Sequence, residues 1–326
     1  METLEKEFIG NSTFLITGGA GFIGSNLCDY LVTNHAKKVI CLDNLFNGKK
    51  ENIAHLYSYK NFEFVLGDIT DKETLIKVTQ GIDFVLHQAA WGSVPRSMKM
   101  PMEYHLNNVT GTLNVFEAAK LNNVKKVVYA SSSSVYGDHP ALPKVEGVEG
   151  NILSPYALTK KINEFHGKLY WDVFKLPTIG LRYFNVFGRR QNPDGEYAAV
   201  IPRFINKILN NESPVVFGDG EQSRDFTYID NVIQANINAC LYSNETSYGR
   251  AFNIAYGERV SINELFTFTN NILGKNITLE YTNERPGDIK HSLASIRNAR
   301  NAINYNPEVD FKSGLQFSID WYKSHS

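Results

Sequence analysis

The stretch Thr17-Gly18-Gly19-Ala20-Gly21-Phe22-Ile23-Gly24 constrains this chain more than any other. It follows a short apolar run at residues 13–17 and opens helical spacing at 22–32, the context in which a glycine-rich loop holds phosphate. Gly18 makes the tight turn, Gly21 lets the backbone approach a pyrophosphate, and Gly24 allows helix and strand to pack closely. The helix N-terminus offers unpaired N–H groups to the negative charge. A second requirement is met by Asp43, which ends the next apolar run 19 positions after Gly24. A carboxylate there hydrogen-bonds adenosine ribose hydroxyls and repels a 2′-phosphate, so NAD is expected rather than NADP, with Lys49 and Lys50 nearby in sequence pulling the other way.

Short apolar runs at 13–17, 38–42, 62–66, 84–87, 127–130 and 178–183 predict buried strands, and helical spacing at 22–32, 109–120 and 155–174 places helices between them. That alternation predicts an α/β fold, a Rossmann doubly wound parallel sheet covered on both faces, over residues 1–184. After about Asn185 the alternation weakens, and Gly188, Pro193, Gly195, Pro214, Gly218 and Gly220 punctuate shorter elements. A second, smaller α/β substrate-binding lobe is expected over 185–326, with helices at 230–242 and 261–273 and with segments such as 226–255 free to return to the first domain. The ligand cleft is expected between the two. Gly67-Asp68-Ile69 ends the third predicted strand at the same sheet edge as Asp43 and is placed for the adenine, the alternative being that Asp68 caps the next helix.

Composition narrows the function classes. Of 326 residues 43% are hydrophobic and 21% charged, as in a folded globular protein, and the net charge of -1 leaves no broad basic face for nucleic acid or an anionic membrane. Met1-Glu2-Thr3-Leu4-Glu5-Lys6-Glu7 lacks the basic flank and apolar run of a secretory signal, and no later run is long enough to span a bilayer, so a cytoplasmic protein is expected. Cys28, Cys41 and Cys240 lack paired spacing, which predicts neither a disulfide framework nor a metal site.

Chemistry concentrates at Ser154-Pro155-Tyr156-Ala157-Leu158-Thr159-Lys160. The spacing puts Tyr156 and Lys160 on one face of a helix that Pro155 can start. A phenol with a pKa near ~10 is a poor base at neutral pH, and an adjacent ammonium favours its ionised form, so Lys160 is expected to tune Tyr156. Ser131-Ser132-Ser133-Ser134 follows the fifth predicted strand, at the sheet edge where ligands of this fold bind. A hydroxyl there can bridge a substrate hydroxyl and the tyrosine, donating and accepting at once. Taken alone, the serine run is a polar turn capped by its own hydroxyls.

With these residues assembled, the chain resembles the extended short-chain dehydrogenase/reductases, in particular the nucleotide-sugar 4-epimerases of the UDP-galactose 4-epimerase type. The resemblance runs nearly end to end and includes Leu86-His87-Gln88-Ala89-Ala90, Asn108-Val109-Thr110-Gly111-Thr112, Arg182-Tyr183-Phe184-Asn185, Ser223-Arg224-Asp225-Phe226 and Arg285-Pro286-Gly287-Asp288. It implies that Phe22, Ile23, Asn44, Asn47, Gly48, Asp68 and Ile69 join the three loop glycines and Asp43 around NAD. Gln88, Ala89, Ala90, Asn108, Tyr156, Lys160 and Tyr183 complete that implied cofactor set. Counting back from Tyr136, the family's catalytic hydroxyl falls on Ser132. The resemblance further implies that Asn185, Arg224 and Arg285 hold the UDP diphosphate and Asp288 the uridine ribose. Bidentate guanidinium groups suit phosphate. Ser93, Ser133, Ser134, Ala199 and Val200 would face the sugar, where Ala198 also adds little bulk.

Within the family, the resemblance points to enzymes that accept N-acetylated sugars, UDP-N-acetylglucosamine and UDP-N-acetylgalactosamine. Gly92-Ser93-Val94-Pro95-Arg96-Ser97 and Gly188-Arg189-Arg190-Gln191-Asn192-Pro193 carry it, together with Ser292 at a gate that a large Tyr fills in enzymes confined to glucose and galactose. The implied reaction oxidises C4′ with NAD, forms a transient 4-keto sugar and returns the hydride to the other face, with UDP-glucose and UDP-galactose as further substrates. Family dehydratases place acids where Ser133 and Ser134 stand, which disfavours a 4,6-dehydratase or decarboxylase. A UDP-glucuronate 4-epimerase differs in pocket identity alone, and a non-catalytic dinucleotide sensor has no need of Ser132, Tyr156 and Lys160 together. The resemblance also implies a homodimer that pairs helices 109–120 and 155–174, the alternative being that these helices only cover their own sheet, and the sugar alone suggests a role in polysaccharide synthesis.

Overall fold

Apolar β-branched runs build the centre of the molecule. Thr13–Thr17 (β1), Lys38–Asp43 (β2), Phe62–Leu66 (β3), Phe84–His87 (β4), Lys126–Ser132 (β5), Thr178–Tyr183 (β6) and Arg250–Ile254 (β7) form one sheet ordered β7-β6-β5-β4-β1-β2-β3. Every neighbouring pair in it is parallel. This computed structural model describes residues 2–194, 198–284 and 290–325. Strands β1 and β6 are buried along their whole length, as strands covered on both faces must be. Alternate side chains serve opposite layers: Phe14 and Ile16 join Leu27, Val232 and Phe252, while Leu15 joins Val115, Phe116 and Tyr170.

The strand order runs outward one way from β1 and the other way from β4. A crevice opens at the carboxyl ends where the direction reverses, which is where doubly wound sheets bind ligands. Thr17 stands opposite Leu42 on β2 and His87 on β4, so the glycine loop leaves the sheet between them. Gly18 takes φ +68°, and a Cβ on Gly24 would lie 2.1 Å from the Gly18 carbonyl oxygen. Neither position tolerates a side chain.

Helices Glu2–Gly10 (α1), Phe22–Thr33 (α2), Val94–Lys99 (α3), Gly111–Leu121 (α4), Pro155–Phe174 (α5), Val200–Leu209 (α6), Ile229–Leu241 (α7), Ile262–Leu273 (α8) and Phe311–His325 (α9) are among those that accompany the sheet. Helix α5 begins at Pro155 with Ser154 Oγ accepting the Ala157 N–H at 3.1 Å, and stops at Lys175 in the left-handed conformation. A reciprocal Ser261 and Glu264 cap starts α8.

Two elements depart from the sequence reading. The helix expected at 109–120 is preceded by a π-helical turn at His105–Thr110, which buries Asn108 and lets its carbonyl accept from Thr112 Oγ1 and Asn163 Nδ2. Strand β7 escapes a period reading because Asn253 sits inside it. That side chain is satisfied by the Tyr136 hydroxyl and by the carbonyls of Lys144 and Ser295.

Helix α7 packs on α2, β5 and β6, so the stretch that contains α7 and β7 adds to the sheet. The remainder of the second half is pieced from α6, α8 and short strand pairs, Val215–Phe217 with Glu280–Thr282 and Ser223–Arg224 with Val260–Ser261. Among the described residues, no helix is long and apolar enough to cross a membrane, and no group of three or more His, Cys, Asp or Glu is placed to hold a metal. Cys28, Cys41 and Cys240 are buried and free.

Candidate active site

A cleft of about 830 Å³ opens at the point where the strand order reverses. Gly18, Gly21, Phe22, Ile23 and Gly24 line it from the loop after β1, Asp43, Asn44, Asn47 and Gly48 from the loop after β2, Ile69 from beyond β3, and Gln88, Ala89 and Ala90 from beyond β4. Helix α2 has Gly21 as its N-cap and no side-chain cap or acidic residue in its first turn, which leaves its positive end open to an anion. Asp43 is almost buried; its carboxylate accepts the N–H groups of Ala20 at 2.9 Å and Leu45 at 2.7 Å. Burial pushes its pKa up, and the N–H groups of Leu45, Ala20 and Gly21 pull it back. An uncapped helix, a glycine cradle and a carboxylate in one dinucleotide-sized cleft fit NAD.

Five residues expected at the cofactor, Asp68, Asn108, Tyr156, Lys160 and Tyr183, are not among those that line this cleft. Asn108 is fully buried, accepting the Trp91 N–H at 2.8 Å and donating to the Trp91 carbonyl at 3.1 Å and to Thr159 Oγ1 at 3.2 Å, so it braces the wall that its neighbour Asn107 lines. The Tyr183 hydroxyl donates to Gln88 Oε1 at 3.1 Å and backs that side chain. Asp68 accepts from Asn44 Nδ2 at 2.6 Å and from the Thr70 N–H and hydroxyl, while Gly67 and Ile69 on either side of it face the cleft. A motif names a residue type; which layer it occupies depends on where its polar atoms find partners. Phe46, Trp91, Arg190, Trp321, Tyr322 and His325 also line the cleft. Arg190 belongs to the 188–193 stretch that carries the resemblance; no sequence signal marked the other five, and three of those come from α9, whose docking only the tertiary fold determines.

The catalytic candidates converge at the end of β5. Ser132 Oγ accepts the Ser134 N–H at 3.1 Å and the Ser134 hydroxyl at 2.9 Å, so both of its lone pairs are engaged and its own proton is left to donate. The serine run is thus self-capped, as its bland reading predicts, and Ser132 also hydrogen-bonds Tyr156. The Lys160 ammonium donates to the Ala130 carbonyl at 2.8 Å and lies 5.9 Å from the centre of the Tyr156 ring. Beneath them Glu164, one turn beyond Lys160, accepts from Ser131 at 2.7 Å and binds Arg182 through two bonds of 2.8 Å. Burial pushes Lys160 down to about 8 and raises the Tyr156 phenol above its ordinary value, with the Ser132 hydrogen bond opposing the rise. Desolvation is the chief cause of that rise, and the expected tuning of Tyr156 by Lys160 rests on their shared helix face and the 5.9 Å between ammonium and ring. Buried His87 beside them is held near 3 and stays neutral.

A second cavity of about 240 Å³ brings together Asn185, Ala198, Ala199, Val200 and Arg224. Ala199 starts α6 without a side-chain cap. Asn185 Nδ2 donates to the Asp225 carbonyl at 3.0 Å and to Ser292 Oγ at 3.2 Å, and Ser292 Oγ accepts the Asp225 N–H at 3.3 Å. Asp225 is the hub: its carboxylate accepts the N–H groups of Tyr256, Gly257 and Ala294, each at 3.1 Å, and burial pushes its pKa up to about 7. Arg224 Nη1 donates to the carbonyls of Ser223 and Lys290. Ser93 is not part of this cavity; its hydroxyl accepts the Arg96 N–H and caps α3. Arg285 and Asp288 lie outside the described residues.

Comparison with known proteins agrees with this geometry. The sequence pattern of the epimerase group, the NAD dependent epimerase/dehydratase family, matches residues 14–255. A relative from Methanocaldococcus jannaschii, named as a putative UDP-glucose 4-epimerase, is 40% identical over 314 residues, which is 96% of this chain and 99% of that one. The structure of UDP-N-acetylglucosamine 4-epimerase from Methanobrevibacter ruminantium M1, in complex with UDP-N-acetylmuramic acid, matches with a TM-score of 0.92 at 42% identity over 97% of this chain and 99% of that one. UDP-glucuronic acid 4-epimerase from Bacillus cereus, in complex with UDP-glucuronic acid and NAD, matches with a TM-score of 0.88 at 36% identity over 96% and 100%. The chain therefore belongs to the NAD dependent epimerase/dehydratase family, and NAD is its cofactor.

Proposed function

We propose that this enzyme is a UDP-sugar 4-epimerase that interconverts UDP-N-acetylglucosamine and UDP-N-acetylgalactosamine and also accepts UDP-glucose and UDP-galactose. The observation that carries the reading is the serine cluster beside Tyr156: Ser132 presents a proton, and Ser133 and Ser134 supply no carboxylate for elimination. When bound, NAD supplies the acceptor and later donor of hydride at C4′, and its positively charged oxidised ring favours the tyrosine phenolate. Tyr156 takes the 4′-hydroxyl proton. The proton passes through or beside Ser132, whose hydroxyl hydrogen-bonds the phenol. Lys160, fixed by the Ala130 carbonyl, sets the charge around the phenol. Asn185, Arg224 and the uncapped start of α6 hold the diphosphate, joined on the family resemblance by Arg285 and Asp288. Small Ala198, Ala199 and Ser292 support room for an acetamido group, as does likeness to an enzyme named for UDP-N-acetylglucosamine.

Incubation with UDP-N-acetylglucosamine, UDP-glucose and UDP-glucuronate, followed by product separation, tests the reading. The expected order of kcat/KM puts the N-acetylated sugar first, and Tyr156→Phe lowers kcat about 10³-fold. A 4-keto-6-deoxy sugar, a pentose, or preference for UDP-glucuronate would overturn it.

The exposed face of α5 supports a homodimer. Leu158, Phe165, Leu169 and Val173 recur at helical spacing on it, with Met102 and Leu106 exposed on the neighbouring turns. Light scattering should give twice 36.8 kDa; a monomer at micromolar concentration refutes this part.

A further inference from the structure

The loops after β2 and β4 flank the glycine loop, and one contact joins them across it. The rings of Phe46 and Trp91 stack with centroids 4.4 Å apart and planes at 7°. Both side chains line the dinucleotide cleft. Because β2 and β4 are the two neighbours of β1, the stack crosses the exit of the loop that leads into the open N-terminus of α2. A dinucleotide held at that N-terminus would share the cleft with both rings.

The two halves are anchored differently. Trp91 is held by Asn108 at both its N–H and its carbonyl, and Tyr104 meets its ring edge-on at 5.5 Å. Tyr104 in turn meets Tyr156 edge-on at 6.4 Å, so the fixed half belongs to the same packed unit as the catalytic phenol. Phe46 is 52% exposed and follows Leu45, a residue at φ +62°. The Arg96 guanidinium lies 5.9 Å from the Phe46 ring centre, on the side of Trp91's own loop.

We propose that Phe46 and Trp91 form an aromatic clasp that closes over bound NAD and retains it through the two hydride transfers. This rests on the epimerase reading, in which the cofactor leaves the cycle unchanged and must stay while the keto sugar is present. A dehydrogenase that exchanges its cofactor every turnover would gain nothing from such a bridge. Opening requires parting two stacked rings, and a pair of this kind slows escape by about two- to tenfold.

The experiment loads the enzyme with radiolabelled NAD and chases with excess unlabelled NAD, removing samples by rapid gel filtration. Phe46→Ala and Trp91→Ala should each release label about two- to tenfold faster than wild type, and the double variant no faster than the quicker single. Phe46→Tyr, which keeps the stack, should restore the wild-type rate. Half-exposed Phe46 can be removed without opening the core, and the Tm of each NAD-free variant identifies any change that merely unfolds the protein. Release at the wild-type rate from well-folded Phe46→Ala, or a double variant equal to the product of the singles, overturns the clasp alone. A wild-type protein that neither carries nor takes up NAD overturns the cofactor assignment and the clasp with it.

Discussion

The cofactor cleft and the cavity proposed for the sugar nucleotide are built on different plans. The first is the continuous edge of a seven-stranded sheet, where glycine geometry and main-chain N–H groups set the shape and Asp43 is bonded into the loop it serves. The second joins two-residue strands and loops through a single carboxylate, Asp225, which reaches three N–H groups on two segments. Under the proposed function the difference matches the residence of the two ligands. A cofactor that stays suits a site made of regular structure, whereas a sugar that enters, turns and leaves suits walls joined by few bonds.

The largest test of that contrast is at its boundary. Lys160→Met should lower kcat about 10³-fold, and at pH 7 it should stabilise the ligand-free protein by up to about 3 kcal/mol, less the bond to Ala130. The sign follows from burial: the folded pKa is about 8 against 10.5 when unfolded, so as pH falls through that window the unfolded chain takes up the proton first and stability drops. A less stable variant in urea melts would show that the buried ammonium holds the sheet edge together.

Asp225 should behave the opposite way. Its folded pKa of about 7 lies above the unfolded 3.8, so its contribution is fully present below about pH 4 and is lost as pH rises towards 7. Asp225→Asn should flatten that slope, a difference on the order of 4 kcal/mol across the range, in denaturant midpoints taken at successive pH values. Equal slopes in both proteins would remove Asp225 as the hub of the second cavity.

Ser292→Tyr should reduce kcat/KM for the N-acetylated sugar roughly tenfold relative to UDP-glucose. Should both substrates fall together, the loss belongs to the Asn185 and Asp225 bonds that the serine makes rather than to pocket volume. The smallest effect is expected from Ser93→Ala: about 1 kcal/mol of stability lost with the α3 cap, and KM within twofold of wild type. A tenfold rise in KM would place Ser93 at the sugar as well as at the helix cap.

The strands at 13–17, 62–66, 84–87 and 178–183 and the helix at 155–174 were legible because each is a local pattern of apolar and punctuating residues. The glycine loop and the catalytic pair were legible because their chemistry fixes residue types at fixed spacing. Depth was not. Asn108, Tyr183 and Asp68 belong to readable motifs, yet each also makes hydrogen bonds to protein partners that no motif records. The docking of α9 beside the cleft and the inclusion of β7 depend on contacts between segments remote in sequence, which no local period records.

Strand β7 comes from the second half of the chain yet completes the sheet of the first. A protein cut after residue 184 would keep the glycine loop and the catalytic pair, and it would also present β6, buried throughout in the whole molecule, as a bare edge. Unpaired edges of apolar strands recruit other chains. The division between cofactor half and substrate half is thus one of task and not of inheritance: shuffling the halves between relatives requires carrying β7 with the first, or the recombinant will aggregate before it can be assayed.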